Sequence, residues 1–295
     1  MSRAATSAER PRQRSVLLDA EAIEAFEPDA KIALLATIDE GGLPHLTLIT
    51  SLAAKDATTL TFGQFCEGQS KRNLAERPES AFLVMTRDRR LWTGRARWRG
   101  KTRQGEDYEA YNRRPMFRYN AYFGIHTVHY LDVVRVDESQ RLSLPRLALS
   151  AMRPALGRLR LRSSEAAPAA VPLRSWTRRL FARPGTLAFT AHVAEDGWPS
   201  ITPLVTVSVA GTSAVRIATS GRGRALESLP EEHPLALLAL NLQMESVLLR
   251  GRLAPAVGVP RRRYRRLSVD WVYNSMPPKQ GVVYPRARLR PVEQF

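Results

Sequence analysis

Apolar and polar positions fall into short blocks with β spacing along much of the chain. Residues 32–38 alternate around β-formers, Asp39-Glu40-Gly41-Gly42 supplies turn chemistry, and residues 45–52 are rich in Leu, Ile and Thr. Together they predict a hairpin. Residues 58–63 read as a third strand. Gly68 then precedes Ser70-Lys71-Arg72-Asn73-Leu74-Ala75-Glu76-Arg77, a short helix with Ser70 as N-cap and Pro78 as stop. Residues 80–86 are apolar throughout, a fourth strand buried on both faces, and 91–99 form a fifth, in which Leu91, Thr93 and Arg95 alternate. A helix over roughly 106–114 and a strand over roughly 125–136 complete the pattern.

The pattern then recurs. Ala36-Thr37-Ile38-Asp39-Glu40-Gly41-Gly42-Leu43-Pro44 falls on Ala191-His192-Val193-Ala194-Glu195-Asp196-Gly197-Trp198-Pro199 at an offset of 155. That offset persists through Gly68 on Gly223 and Ala81-Phe82-Leu83 on Ala236-Leu237-Leu238; after a shift of two, Gly94-Arg95 falls on Gly251-Arg252. One unit reads as written twice. The second copy predicts strands near 186–193, 199–208, 213–219, 235–241, 246–253 and 282–292. Six antiparallel strands with a short helix between the third and fourth indicate a small closed or partly open barrel. The expected fold class is mainly β: two tandem six-stranded split barrels packed as an intramolecular pseudo-dimer. The domains are a basic arm (1–19), barrel one (20–145), an Arg/Pro/Ala-rich linker with one short basic helix (146–183) and barrel two (184–295).

Composition adds constraints. Hydrophobic residues at 44% and charged residues at 25% are ordinary globular values, which disfavours wholesale disorder. A single cysteine, Cys66, has no partner within the chain. No stretch is apolar enough to span a membrane, and the expected location is cytoplasmic. The net charge of +17 suggests nucleic acid until it is divided. Segments 1–14, 146–183 and 259–295 carry +3, +8 and +7, leaving −1 for the rest, so the basicity sits in ends and linker. Of 45 basic residues 40 are Arg, a bias that base composition explains as readily as phosphate contact.

The order of elements resembles the FMN-binding split-barrel family typified by pyridoxamine 5'-phosphate oxidase. The residues that carry it are the hairpin Leu35 to Leu52, then Phe62-Gly63-Gln64-Phe65, then Gly68-Gln69-Ser70-Lys71-Arg72-Asn73-Leu74 ahead of Pro78, and the Gly94-Arg95-Ala96 strand. A fainter version covers 184–292, closing on Arg288-Leu289-Arg290-Pro291. The resemblance implies FMN between two barrels, its ring against strand two and its phosphate at the strand-three-to-helix junction. A helix N-terminus offers unpaired N–H groups and a positive dipole end, which suits a phosphate dianion. On this reading Ser70, Lys71 and Arg72 hold phosphate, and Gly63 and Gly68 allow close backbone approach. Thr47, Ile49, Thr50 and Ser51 line the ring and ribityl chain, Gln64 contacts the ribityl or phosphate, and Trp92 approaches the ring. The position of the oxidase's phosphate-binding Lys falls on Ser70, with Lys71 one residue later. The oxidase's substrate-binding Arg-x-His pair is missing, which argues against vitamin B6 oxidation.

The stretch Tyr108 to Tyr130 is dense in aromatics that copy two does not keep. It reads either as a pocket wall, with Arg118, Tyr119, Asn120 and His126 facing a small, anionic substrate, or as core packing. The implied activity is electron or hydride transfer. The rivals are a split barrel that has lost flavin and contacts nucleic acid or a membrane surface through its basic ends, or one that holds haem or deazaflavin. In copy two Gly223-Arg224-Ala225 replaces the phosphate turn, with Arg222 nearby, so that site is an altered anion site or a relic. His126 and His129, three apart in a strand, point to opposite faces and do not chelate one metal ion.

Overall fold

The computed structural model describes residues 14–15, 17–114, 124–137, 139–142, 172–183, 185–204, 206–219, 221–241, 243, 245–257, 264–274 and 281–285. In the first half the strands are β1 (Arg14–Ser15), β2 (Ile32–Ile38), β3 (Pro44–Leu48), β4 (Ala53–Ala54), β5 (Thr59–Gln64), β6 (Glu79–Met85), β7 (Arg90–Thr102), β8 (Thr127–Asp137) and β9 (Gln140–Arg141). Helices α1 (Ala20–Phe26), α2 (Gln69–Glu76) and α3 (Glu106–Arg113) lie between them. The second half begins with α4 (Ser175–Ala182) and continues with β10 (Leu187–Val193), β11 (Pro199–Leu204), β12 (Val207–Ala210) and β13 (Ala214–Ala218). A 3₁₀ turn (Gly221–Leu226) leads to β14 (Pro234–Leu240), β15 (Ser246–Val257), β16 (Tyr264–Asn274) and β17 (Gly281–Tyr284).

The two sheets run in the same order, β3-β2-β6-β7-β8-β5-β4 and β11-β10-β14-β15-β16-β13-β12. In each, the outermost strands are consecutive in the chain, so the bend between them carries the backbone from one edge of the sheet to the other and curls it into a split barrel. That bend divides the predicted second strand. Around it the Leu52 amide donates to the Ile49 carbonyl, and Ser51 Oγ both donates to the Gly63 carbonyl (2.8 Å) and accepts from the Gly63 amide (3.1 Å). Tyr111 of α3 closes it from outside, its hydroxyl donating to the Ser51 carbonyl at 2.9 Å.

Alternation along β2 divides its side chains between two cores. Ala33 and Leu35 face the barrel interior with Leu60, Phe62, Phe82, Trp92 and Leu131, which α1 plugs with Ala22, Ala25 and Phe26. Leu34 and Ala36 face outward and join Leu46, Ala81 and Leu83 in a core shared with barrel two. There they meet Phe189, Ala191, Ile201, Ala236 and Leu238, each 155 residues on from its counterpart. A strand with one face in its own barrel and the other against the sister barrel must be apolar at nearly every position, and β2, β6 and β14 are.

Several elements depart from the sequence reading. In barrel two the strand between β15 and β13 is β16 at Tyr264–Asn274, which the sequence reading did not anticipate, and β17 at Gly281–Tyr284 pairs with it. The Arg run at 261–266 masked the alternation of β16, in which Arg265, Leu267, Val269 and, past a register shift, Val272 are buried on the barrel side. Residues 286–292, with the Arg288–Pro291 motif, lie outside the described residues. Helix α1, capped by Asp19 Oδ1 accepting from the Ala22 amide at 2.7 Å, and β1, paired with β8, were not anticipated. The N-cap of α2 is Gly68 and not Ser70, because the helix starts at Gln69.

Candidate functional site

Helix α2 lies across β2 and β3 of barrel one. Asn73 Nδ2 donates to Thr37 Oγ1 at 2.9 Å, and Gln69 Nε2 donates to Asn73 Oδ1 at 2.8 Å, which fixes the start of the helix over the strands. Thr37 is paired in register with His45, and Leu35 with Thr47, so Thr37, His45 and Thr47 share the face on which α2 rests. Two hydroxyls here are buried without a hydrogen-bond partner: Ser70 Oγ in the first turn of α2 and Thr47 Oγ1 on β3. Orphaned buried polar atoms are uncommon and mark places where a ligand completes the bonding.

Lys71 follows Ser70. It is partly buried, makes no ion pair among the described residues, and burial pulls its pKa below the usual lysine value, against the opposing influence of Cys66 and Glu67. Its charge reaches both buried histidines of this region. Desolvation first, and then nearby cations including Lys71, lower His45 and His129 to about 3, so both rings are neutral at physiological pH. Arg72 is exposed and donates to Gln69 Oε1 at 3.0 Å.

Barrel two supplies the facing wall. Trp271 and Tyr273 of β16 stack at 5.2 Å, and His45 meets both edge-on, at 6.2 and 5.2 Å. Desolvation raises the Tyr273 phenol pKa, while Arg72 and the Gln69 amide oppose the rise, so this ring stands beside the start of α2. Arg250 lies over Trp271 at 4.3 Å and donates to Asp39 Oδ2 at 2.6 Å. The result is a seam between α2, β3 and β16 with a cationic end and an aromatic wall.

The structure gathers Thr47, Gly68, Ser70, Lys71 and Arg72 on β3 and the start of α2, along that seam, and places other candidates elsewhere. Trp92 does not approach it: the ring is packed in the barrel core, edge-on to Phe26 at 5.8 Å. Ile49 belongs to the same core. Ser51 has its hydroxyl occupied by Gly63, and the space above Gly63 is filled by Ile125, whose Cδ1 lies 2.5 Å from where a Cβ would stand. Thr50 is partly exposed beside the bend. Gln64, 5% exposed, accepts from His129. His126 donates its amide to the Gln64 carbonyl at 2.9 Å, and its ring contacts Thr127 Oγ1. Arg118, Tyr119 and Asn120 lie outside the described residues. Sequence reasoning missed His45, Trp271 and Tyr273. Only the recurrence of the unit hinted that a strand of copy two would meet α2 of copy one.

Copy two differs from copy one at the register position of His129. Register sets Ile217 opposite Arg265 where barrel one sets Phe62 opposite His129. Arg265 is 2% exposed, and its guanidinium donates to the carbonyls of Ala254, Leu226, Leu229 and Pro230. A side chain spent on capping the 3₁₀ turn plugs the corresponding place.

The fold is that of a split-barrel protein with two tandem units. Residues 19–150 match the family model described as pyridoxamine 5'-phosphate oxidase, so the first half of the chain is similar to that family in sequence as well as in architecture. Solved structures with this likeness include an FMN-binding protein from Syntrophomonas wolfei (16% identity, covering 42% of this chain and 90% of that one, TM-score 0.36). Two others are HupZ from Group A Streptococcus (18%, 43% and 99%, 0.35) and a putative pyridoxamine 5'-phosphate oxidase from Lactobacillus delbrueckii (16%, 42% and 97%, 0.34). No curated protein matches the chain.

Proposed function

We propose that the seam between the barrels binds FMN and that the protein is a flavin-dependent oxidoreductase acting on a small molecule. The observation that carries this is the pair of buried, unpartnered hydroxyls, Ser70 Oγ and Thr47 Oγ1, beside the unpaired ammonium of Lys71 at the start of α2. Those groups are the donors a phosphate and a ribityl chain need, and leaving them unmet costs about 1–3 kcal/mol each. In this reading Ser70, Lys71 and the first amides of α2 hold phosphate, while Thr47 and the Trp271–Tyr273 wall orient the rest and exclude water. Bound flavin would supply hydride or single-electron transfer, and the protein binding, orientation and electrostatics.

The test is an absorbance scan of the purified full chain, as isolated and after incubation with FMN. Flavin bands, lost or weakened about 100-fold in affinity by Lys71→Glu, are the expected result, because the substitution turns attraction to a dianion into repulsion. Colourless protein that FMN does not reconstitute would overturn the reading. A haem Soret band or a deazaflavin spectrum would replace the cofactor while leaving the seam.

A further inference from the structure

We infer that His129 is a positioning residue, which with Trp98 turns the Gln64 side chain so that its NH₂ group is presented at the β5–α2 junction as a fixed hydrogen-bond donor. The inference rests on the FMN reading and assigns the chemistry of one contact within it: an acceptor oxygen of the cofactor, met by a neutral amide.

The chain of bonds has one consistent direction. Indole Nε1–H only donates, so at 3.2 Å it fixes His129 Nδ1 as the acceptor. A neutral ring that accepts at Nδ1 carries its proton on Nε2, and that proton lies on Gln64 Oε1, 2.6 Å away. The amide oxygen is thereby committed and the amide nitrogen must face the opposite way. Gln64 is 5% exposed, and its nitrogen makes no hydrogen bond among the described residues. That nitrogen is not one of the buried, unpartnered atoms, so an amide held by its oxygen alone, at the end of the strand that leads into α2, offers an accessible donor.

Two features hold the arrangement. The His129 ring is stacked on Phe62 at 4.6 Å and 6°, so rotating it forfeits a flat contact. Burial and the charges of Lys71 and Lys101 keep the ring neutral, and a second ring proton would displace the indole. Barrel two has no such relay: Arg265 stands at the register position of His129 and binds carbonyls instead. The Trp98–His129–Gln64 chain is thus confined to barrel one, which contributes α2.

The experiment uses the full chain with FMN as probe. Nitrogen-15 NMR of the histidine-labelled protein should show one ring with Nδ1 unprotonated, Nε2 protonated and no titration between pH 8 and 5. Trp98→Phe should disturb that tautomer and weaken FMN binding about 5- to 10-fold. Gln64→Met should weaken it similarly, and Trp98→Phe added to Gln64→Met should cost nothing more, because the donor being positioned is already gone. Additive losses, or a His129 ring that titrates above pH 5, would overturn this inference while leaving FMN binding intact. Wild-type protein that binds no FMN would take both readings down.

Discussion

Arg250 and Asp39, 211 residues apart in sequence, meet across the junction of the two barrels, with Arg250 Nη1 donating to Asp39 Oδ2 at 2.6 Å. Arg95 of β7 reciprocates from the other side, gripping Asp196 with both terminal nitrogens at 2.5 and 3.1 Å. In each case a strand of one barrel reaches the hairpin turn of the other. The two pairs differ in environment. The Arg250 pair is 13% and 15% exposed and the guanidinium also covers Trp271, whereas Asp196 is 55% exposed.

That difference predicts unequal costs. Asp39 Oδ1 also accepts the Leu43 amide at 2.9 Å, so Asp39→Asn keeps the turn acceptor and removes only the charge. It should destabilise the protein by about 2–3 kcal/mol, because Arg250 is left desolvated without a counter-charge. A double-mutant cycle with Arg250→Gln should return a coupling above about 1 kcal/mol in denaturant unfolding, against a few tenths for Arg95 with Asp196. Equal couplings would show that exposure does not set the strength.

Gly94 and Gly251, which recur at the shifted offset, have a shared steric cause. A Cβ on Gly251 would stand 1.9 Å from the Ser268 carbonyl oxygen, and one on Gly94 2.3 Å from the Arg135 carbonyl oxygen and 2.4 Å from the Phe82 ring. Both lie beside register shifts in the ladders to β16 and β8. The obstacle is backbone, which does not rotate away. Gly251→Ala and Gly94→Ala should each cost about 3 kcal/mol or more, read as a fall in the denaturation midpoint; Gly42→Ser, with open space around it but at φ 76°, should cost only the backbone strain of about 1 kcal/mol.

Much of this architecture was legible because its causes are local. The apolar runs of β2 and β6, the turn at 39–42 and the helix ahead of Pro78 follow from spacing and from residues that act on their own backbone. What was not legible depends on partners far away in the chain. Trp92 reads as an aromatic that approaches the flavin ring until Phe26 is seen edge-on to it in the barrel core, and Ser51 reads as a ligand contact until Gly63 takes both its bonding positions. His45 carries no motif at all; its surroundings are created by Trp271, Tyr273 and Arg250 from the other barrel. Arg265 was hidden in a basic run that reads as a solvated tail.

Burial of three histidines sets a pH dependence. His45 and His129 are held at about 3 and His192 at about 4, all chiefly by desolvation, against an unfolded value near 6.5. The unfolded chain therefore binds more protons than the folded one between pH 6.5 and about 3–4. Stability is complete above pH 6.5 and is lost as pH falls through that window, by about 2 kcal/mol per ring between pH 6.5 and 5. Urea unfolding at pH 7 and pH 5 should show the loss, and His192→Phe should flatten it by about one ring's share. A slope unchanged by that substitution would place the acid sensitivity in other groups.

Arg265 provides the sharpest contrast between the barrels. Its guanidinium bonds four main-chain carbonyls while 2% exposed, so it contributes by satisfying acceptors that are buried or partly buried. Arg265→Met keeps the stem volume and deletes every donor, which should destabilise by about 3–5 kcal/mol. Arg265→Lys should recover only part, since one ammonium cannot serve Ala254, Leu226, Leu229 and Pro230 together. FMN affinity, measured below the unfolding transition, should be unchanged in Arg265→Lys, because Arg265 stands near the start of β16 bonded to the 3₁₀-turn region, six residues before Trp271. A loss of affinity there would mean that the 3₁₀ turn of barrel two takes part in the cofactor site.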